Sequence, residues 1–559
     1  MAATPSPAPG SRLPLPDSKG VRIVKAVLPL LVLNAFLSMT NWWPTPFVEL
    51  DQRIAPEFVL LWVALLLLVW RRVVVGARLV ALLTWVYLLL VVGRYFDTTA
   101  PALFGRDINL YWDALQIPRV LWVTLNSYPL WIALLVAAAL LALFWLVYRA
   151  LHASITVAAR EAVPYALRSR WALMVTAAAL ALITANYYGV QATWPVVSKP
   201  VLPTYLRQVK LLATAFTNRS LEKMLPPSPA FNSNLGALNG IDVDLFFLES
   251  YGMMVFNHPR AYASLQPARD ALAAQIAASG KQVVSAYVSS TTFGGGSELA
   301  HVSLLTGVDT ADPLRHDLML TTRRPTLVSL FRERGYETHG FYPALTWDWP
   351  EKVFYGFDKF TDARDLRYPG PKLGYWSVPD QYALARYQQL HPVTAASPKR
   401  FLFFTSITSH LPFHPVPPYQ ADWQRLLSTT PFDAAQMAGV AAQKVDWLNM
   451  FPGYVGMIDY NYRWLAGYLA QPRARDSVLI LLGDHQPAAN VTGEGASWDV
   501  PVHIIAARPE LLQRFLARGF NPGLEPKQPR IGAIFDLTRV LMEAFDAPTS
   551  KAAQVAGRP

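Results

Sequence analysis

Apolar residues are spread unevenly along this chain. Early on they gather in five dense blocks of Leu, Val, Ala and Trp: Ile23 to Thr40, Phe58 to Trp70, Leu79 to Val92, Leu130 to Tyr148 and Trp171 to Tyr187. Most approach the roughly 20 residues that an α-helix needs to cross a bilayer. The pattern predicts five spanning helices over 23–188. The second block is short and bounded by Arg71 and Arg72, so either those arginines snorkel or the second and third blocks form a re-entrant hairpin.

Beyond about residue 240 the period changes. Short β-compatible runs, Asp244 to Leu248, Glu337 to Tyr342, Phe401 to Ile407 and Ser477 to Leu482, alternate with helical patterns such as Thr326 to Arg334 and Tyr454 to Leu469. Alternation of this kind predicts an α/β sandwich with a mostly parallel sheet over 241–548, followed by a loose tail, 549–559. No internal repeat, Walker loop, dinucleotide fingerprint or CxxC pair competes with it.

Charge then orients the amino-terminal half. The flank 1–22 and first helix carry Arg12, Lys19, Arg22 and Lys25. The second-to-third connection carries Arg71, Arg72 and Arg78, and the fourth-to-fifth carries Arg149, Arg160, Arg168 and Arg170. The opposite connections hold only Arg53, Arg94, Arg106 and Arg119. Cytoplasmic loops hold the basic excess, so the amino terminus is expected inside and everything after Tyr188 outside. No small-residue cleavage site follows the first block, which reads as an uncleaved anchor.

The net charge of +11 belongs largely to those inside loops. It favours anionic lipid headgroups over nucleic acid as a partner. The absence of cysteine means that an exported domain must fold without disulfides.

Over 189–240, Tyr205, Val209, Leu212 and Phe216 recur at a helical interval among Arg207, Lys210 and Arg219. This basic amphipathic segment either lies in the membrane interface or packs on the following domain. Pro226-Pro227-Ser228-Pro229 then breaks any helix.

Candidate chemistry sits at the ends of the strand-like runs, where open α/β sheets place their sites. One run stops at Glu249-Ser250-Tyr251-Gly252 and another at Gly483-Asp484-His485. Between them lies Thr292 to Gly307, TFGGGSELAHVSLLTG, with a hydroxyl at the end of a glycine-rich turn. A serine hydroxyl is a poor nucleophile at neutral pH and needs a base or a metal beside it. Two carboxylates and an imidazole are the donor types for such an ion.

Here the chain resembles the alkaline phosphatase and sulfatase superfamily, in particular its membrane branch of lipoteichoic acid synthase-like phosphoglycerol and phosphoethanolamine transferases. The residues that carry the resemblance are Gly294-Gly295-Gly296-Ser297, the Leu305-Thr306-Gly307 turn, Glu249 and the pair Asp484-His485. The resemblance implies a sulfatase-like domain behind a membrane anchor. It assigns Ser297 as the nucleophile and Glu249, Ser297, Asp484 and His485 as ligands of one divalent ion, Mn or Zn.

It also implies substrate contacts. His410, in Thr408-Ser409-His410, and His339, in His339-Gly340, correspond to headgroup-pocket histidines, with a structural hydrogen-bonded role as the alternative for each. Trp347 and Trp349 fall where relatives place a Trp and an Arg of that pocket. No arginine counterpart is present, only Lys352, and aromatic packing would also account for the tryptophans.

The implied activity is transfer of a phospholipid-derived headgroup, phosphoglycerol first and phosphoethanolamine second, onto a periplasmic or surface glycan from the bacterial inner membrane. A membrane-anchored phosphodiesterase and a non-enzymatic scaffold are the alternatives. A sulfatase proper is disfavoured, because Ser297-Glu298-Leu299-Ala300-His301 lacks the Pro or Ala and the Arg of the formylglycine-forming motif.

Overall fold

The computed structural model describes residues 19–42, 45–104, 129–187, 196–217, 225–346, 349–371, 373 and 378–547, with scattered positions between 107 and 125. The chain divides into two compact units. One comprises Met1–Trp42, Phe47–Thr99 and Thr124–Val209, and the other is chiefly Lys210–Pro559.

The first unit is helical. Helices occupy all five expected positions: α1 (Lys19–Ser38), α2 (Pro56–Trp70), α3 (Ala77–Phe104), α4 (Leu130–Val157, continuing through a π-turn to Arg168) and α5 (Arg170–Tyr187). Two of them, over Ala77–Leu103 and Leu130–Arg168, are long and apolar enough to cross a bilayer, while Ala26–Ser38 and Pro56–Trp70 are shorter apolar helices. The expectation of five spans is therefore met in helix position and only partly in span length.

A further helix, α6 (Leu202–Thr217), begins against this unit. Its first amides would lack intrahelical acceptors, and Glu57 Oε1 accepts from Val201 N at 2.6 Å and Leu202 N at 3.1 Å. Thr204 Oγ1 donates to Asp97 Oδ1 at 2.8 Å.

The second unit is built on an eight-stranded sheet. Its strands are β1 (Asp242–Leu248), β2 (Gln282–Ser289), β3 (Glu337–Tyr342), β4 (Lys359–Asp362), β5 (Arg400–Thr405), β6 (Ser477–Gly483), β7 (Asp499–Ala506) and β8 (Asn521–Pro522). The order across the sheet is β8-β2-β7-β6-β1-β5-β3-β4. Strands β6, β1, β5, β3 and β4 run parallel, and β7 is antiparallel to both β6 and β2.

Every residue of β1, β5, β6 and β7 is buried. A strand covered on both faces reads as a continuous apolar run, which is how these segments appear in the sequence. Alternation still sorts their side chains. Val243, Leu245 and Phe247 enter one core with helices α8 (Ser297–Thr306) and α10 (Asp536–Phe545), whereas Phe246 and Leu248 enter the other with α7 (Pro259–Ala278) and α9 (Phe451–Ala470).

Asp244 interrupts this apolar pattern from inside β1. Asp244, fully buried in β1, accepts from Arg473 Nη1 at 2.8 Å and Tyr468 OH at 3.1 Å, with Arg400 Nη2 at 3.6 Å. Burial pushes its pKa up, but the two guanidinium charges outweigh that and hold it below the ordinary value.

Candidate active site

Register brings the site together. Leu248 pairs with Gly483, so β1 and β6 end side by side and deliver Glu249 and Asp484 to one edge. Phe247 pairs with Thr405, so β5 ends beside them and leads into Thr408-Ser409-His410. The third element arrives from β2 through the glycine turn. Gly294, Gly295 and Gly296 have φ of 68°, 147° and 74°, which L side chains rarely adopt. A Cβ on Gly296 would also lie 3.2 Å from Thr292 Oγ1. The turn ends with Ser297 as the first residue of α8, whose N-terminal dipole end favours an anion.

Ser297 Oγ lies 3.1 Å from Glu249 Oε2 and 3.2 Å from His485 Nε2. One ligand atom each from Glu249, Asp484 and His485 lie within 4.8 Å of one another, all buried. Among the described residues no other cluster of three such ligands occurs. Thr292 Oγ1 instead donates within its own turn to the Gly295 carbonyl, and Thr291 Oγ1 meets Ser303 Oγ at 3.3 Å.

The surrounding residues fix each ligand. His485 Nδ1 donates to the Gln486 carbonyl at 2.7 Å, which orients the ring with Nε2 toward the cluster. Asp484 Oδ1 accepts from Ser250 N at 2.8 Å and His485 N at 2.6 Å. Ser250 Oγ donates to Glu249 Oε1 at 3.1 Å. Asn461 Nδ2 donates to Ser409 Oγ at 2.9 Å, and Trp464 Nε1 to Asn461 Oδ1 at 2.9 Å.

Electrostatics point to a cation here. Burial together with the charge of Glu249 pushes Asp484 up to about 8. Burial would lower His485, but the charges of Asp484 and Glu249 win and raise it to about 9. Burial likewise opposes ionisation of Glu249, and the His485 imidazolium overcomes it, leaving Glu249 at about 2. Burial and mutual charge thus raise Asp484 and His485 together, a cost that a bound divalent ion would relieve. Two carboxylates, an imidazole and a hydroxyl fit Zn²⁺ or Mn²⁺.

The remaining candidates divide. His410 is near enough for its charge to act on Glu249, and it lines a cavity with Ile407, Thr408, His414 and Met457. Its Nδ1 donates to the Leu411 carbonyl at 2.6 Å. His339 is not brought to the cluster. It pairs with Leu402, which is itself in register with Asp244, five residues short of Glu249. Both its nitrogens have protein partners, Tyr387 OH at 2.6 Å and Glu337 Oε2 at 2.8 Å, and burial holds its pKa down at about 4.

Trp349 is buried against Tyr342, Tyr355, Phe360 and Phe403, so aromatic packing occupies it. Trp347 lies outside the described residues. Sequence reasoning passed over Ser250, Ser409, Asn461 and Gln486. A hydroxyl or amide residue directly beside a proposed ligand was the available signal for Ser250 and Gln486, whereas Asn461 gave none.

Fold and site together define an α/β domain in which a serine at a helix start faces a three-ligand cation site. Residues 276–504 match the family model described as Sulfatase. The match takes in Ser297, Asp484 and His485 and begins beyond Glu249. This agrees with the resemblance read from the motifs, and the match supports a sulfatase-like α/β domain over that part of the chain.

Solved structures similar to it include the lipoteichoic acid synthase LtaP from Listeria monocytogenes, at 14% identity over 58% of this chain and 76% of that one, with a TM-score of 0.35. Another is the Streptococcus pyogenes phosphoglycerol transferase GacH in complex with sn-glycerol-1-phosphate, at 12% identity over 64% and 84%, TM-score 0.35. A third is the periplasmic domain of EptC from Escherichia coli, at 16% identity over 50% and 76%, TM-score 0.32. No curated protein matches the chain.

Proposed function

We propose that this protein is a membrane-anchored transferase that moves a phospholipid headgroup, phosphoglycerol first and phosphoethanolamine second, onto a glycan hydroxyl outside the bacterial inner membrane. The observation that carries the reading is Ser297 Oγ, set 3.1 Å from Glu249 and 3.2 Å from His485 in a buried cation site. The amino-terminal apolar helices support a membrane donor. The glycine-hydroxyl turn and the absence of cysteine favour phosphoglycerol.

In this reading Glu249, Asp484, His485 and Ser297 hold one divalent ion, Zn or Mn. Bound there, it would lower the hydroxyl pKa and polarise a phosphoryl oxygen. Ser297 Oγ forms a bond to the headgroup phosphorus, and the bond from phosphorus to the diacylglycerol oxygen breaks. His410, beside the cluster, supplies the proton to the departing oxygen. The positive dipole end of α8 faces the phosphate charge. A glycan hydroxyl then bonds to that phosphorus as the bond to Ser297 Oγ breaks, and its proton returns to His410.

The test is product analysis. Purified full-length protein with phosphatidylglycerol or phosphatidylethanolamine should release diacylglycerol, and the headgroup should appear on an added glycan acceptor. If it appears as free glycerol phosphate or phosphoethanolamine at an undiminished rate with acceptor present, the protein is a phosphodiesterase.

A further inference from the structure

In the second unit, the large apolar side chains exposed among the described residues of 225–547 are Val353, Leu390, Leu411, Trp447 and Leu448. Three of these five sit on two loops that touch each other. Gln443 joins them: Val416 N donates to its Oε1 at 2.9 Å, and its Nε2 donates to the Val416 carbonyl at 3.2 Å.

Trp447 and Leu448 are 58% and 72% exposed, yet their loop is well ordered by its own hydrogen bonds. Asp446 Oδ1 accepts from Leu448 N at 3.0 Å and Asn449 N at 3.1 Å, which turns the chain at the tip and occupies the one carboxylate in 443–450. The display is a built conformation.

The loop belongs to the rim of the candidate active site. On one side Val416 continues the segment that carries His410. On the other, Met450 Sδ lies 3.0 Å from Asn490 Nδ2, six residues beyond Asp484. The helix that follows sends Tyr454 OH to the Ser250 carbonyl at 2.9 Å, next to Glu249. Exposed Lys444 flanks the tip, and the Arg260 guanidinium stands 5.0 Å over the ring of Phe451 just after it.

Adjacent exposed apolar residues with basic neighbours fit one surface above others, the headgroup layer of an anionic bilayer. A Trp ring resides there with its apolar body in lipid and its N–H in water, and Lys and Arg meet phosphate. We propose that Trp447 and Leu448, with Leu411 beside them, dock the rim of the active site into the bilayer surface, bringing the diester of a lipid headgroup level with Ser297. This rests on the phospholipid-donor reading for its purpose. The docking itself can be tested apart from it.

The chain has no cysteine, so a single introduced thiol can be labelled without background. Full-length protein carrying Leu448→Cys with a nitroxide, in vesicles of phosphatidylglycerol and phosphatidylcholine, should collide with oxygen several-fold more, relative to a water-soluble nickel chelate, than the same label at Ala396→Cys. Ala396 is exposed in the connection entering β5, at the opposite end of the sheet. Equal nickel access at both positions overturns the proposal, and so does shielding from both reagents at Leu448, which marks contact with a second protein copy.

The functional arm uses the double variant Trp447→Ala, Leu448→Ser. Turnover of vesicle phosphatidylglycerol should fall at least tenfold, with turnover of monomeric dihexanoyl phosphatidylglycerol unchanged. Equal loss on both donors overturns the docking role. If the unsubstituted protein turns over neither donor, the phospholipid reading fails, and the collision measurement alone decides whether the loop meets lipid.

Discussion

Ser409 Oγ donates to the main-chain carbonyl of Glu249 at 2.6 Å. The loop that carries His410 and the strand end that carries the first carboxylate are thereby fixed to each other. Ser409 is in turn held by Asn461 from helix α9. Residues that orient a ligand typically affect metal affinity by roughly 10–100-fold. Ser409→Ala should weaken metal binding within that range while the circular dichroism spectrum stays unchanged. Unaltered affinity in a metal titration would show that the strand end is rigid without this bond.

Ser297 and the other ligands should separate cleanly. Ser297→Ala removes the nucleophile and leaves three donors, so bound metal should persist while turnover is abolished. Asp484→Ala leaves an open site, and both metal content and turnover should fall. Without acceptor, the unsubstituted protein should gain a headgroup phosphodiester on the peptide 292–307. An adduct on Thr291 or Thr292 would displace Ser297 from its role, although both hydroxyls are engaged elsewhere here.

Asp380 gives a pH signature. Its carboxylate is fully buried and accepts from Ile407 N and Thr408 N, each at 2.9 Å. Burial is the largest influence and, despite those bonds, raises its pKa from 3.8 to about 6. Between those values the folded state keeps a proton that the unfolded chain has lost. Stability from this group is therefore complete below 3.8, declines as pH rises through about 6, and is level above it. A displacement of that size corresponds to about 3 kcal/mol. Denaturation midpoints of Asp380→Asn should lack this decline between pH 4 and 7, and an identical slope in both proteins would assign it to other groups.

The proposed topology has the amino terminus inside, five spans and the catalytic domain outside. A reporter fused after Tyr188 should be active only if it works outside the cytoplasm. Activity of a cytoplasm-only reporter at that point would reverse the orientation drawn from the basic loops.

Much of the site was legible because its residues sit where local pattern changes. The runs before Glu249 and Asp484 are buried on both faces, so they read as unbroken apolar stretches, and the structure ends them at Leu248 and Gly483. The glycine turn was legible because positive φ leaves a compositional mark. His339 read as a pocket residue because sequence shows a histidine in a strand but not its register, which places it level with Asp244. Trp349 was ambiguous for a similar reason, since its aromatic neighbours are spread from Tyr342 to Phe403. The antiparallel insertion of β7 between β6 and β2 leaves no local trace at all.

Helix α8 begins at the proposed nucleophile, Ser297, and from Leu299 to Thr306 every one of its residues is buried. Ser297 is thus mounted on a piece of the hydrophobic core. Mutational scanning along 299–306 should return expression and activity as one trait, because repacking at those positions unseats Ser297 as it unsettles the fold. Variation that retunes the chemistry while sparing the scaffold has to enter instead through the loops after β3, β5 and β6. On the proposed reading, descendants of this sequence would therefore diverge in what they transfer sooner than in how Ser297 is presented.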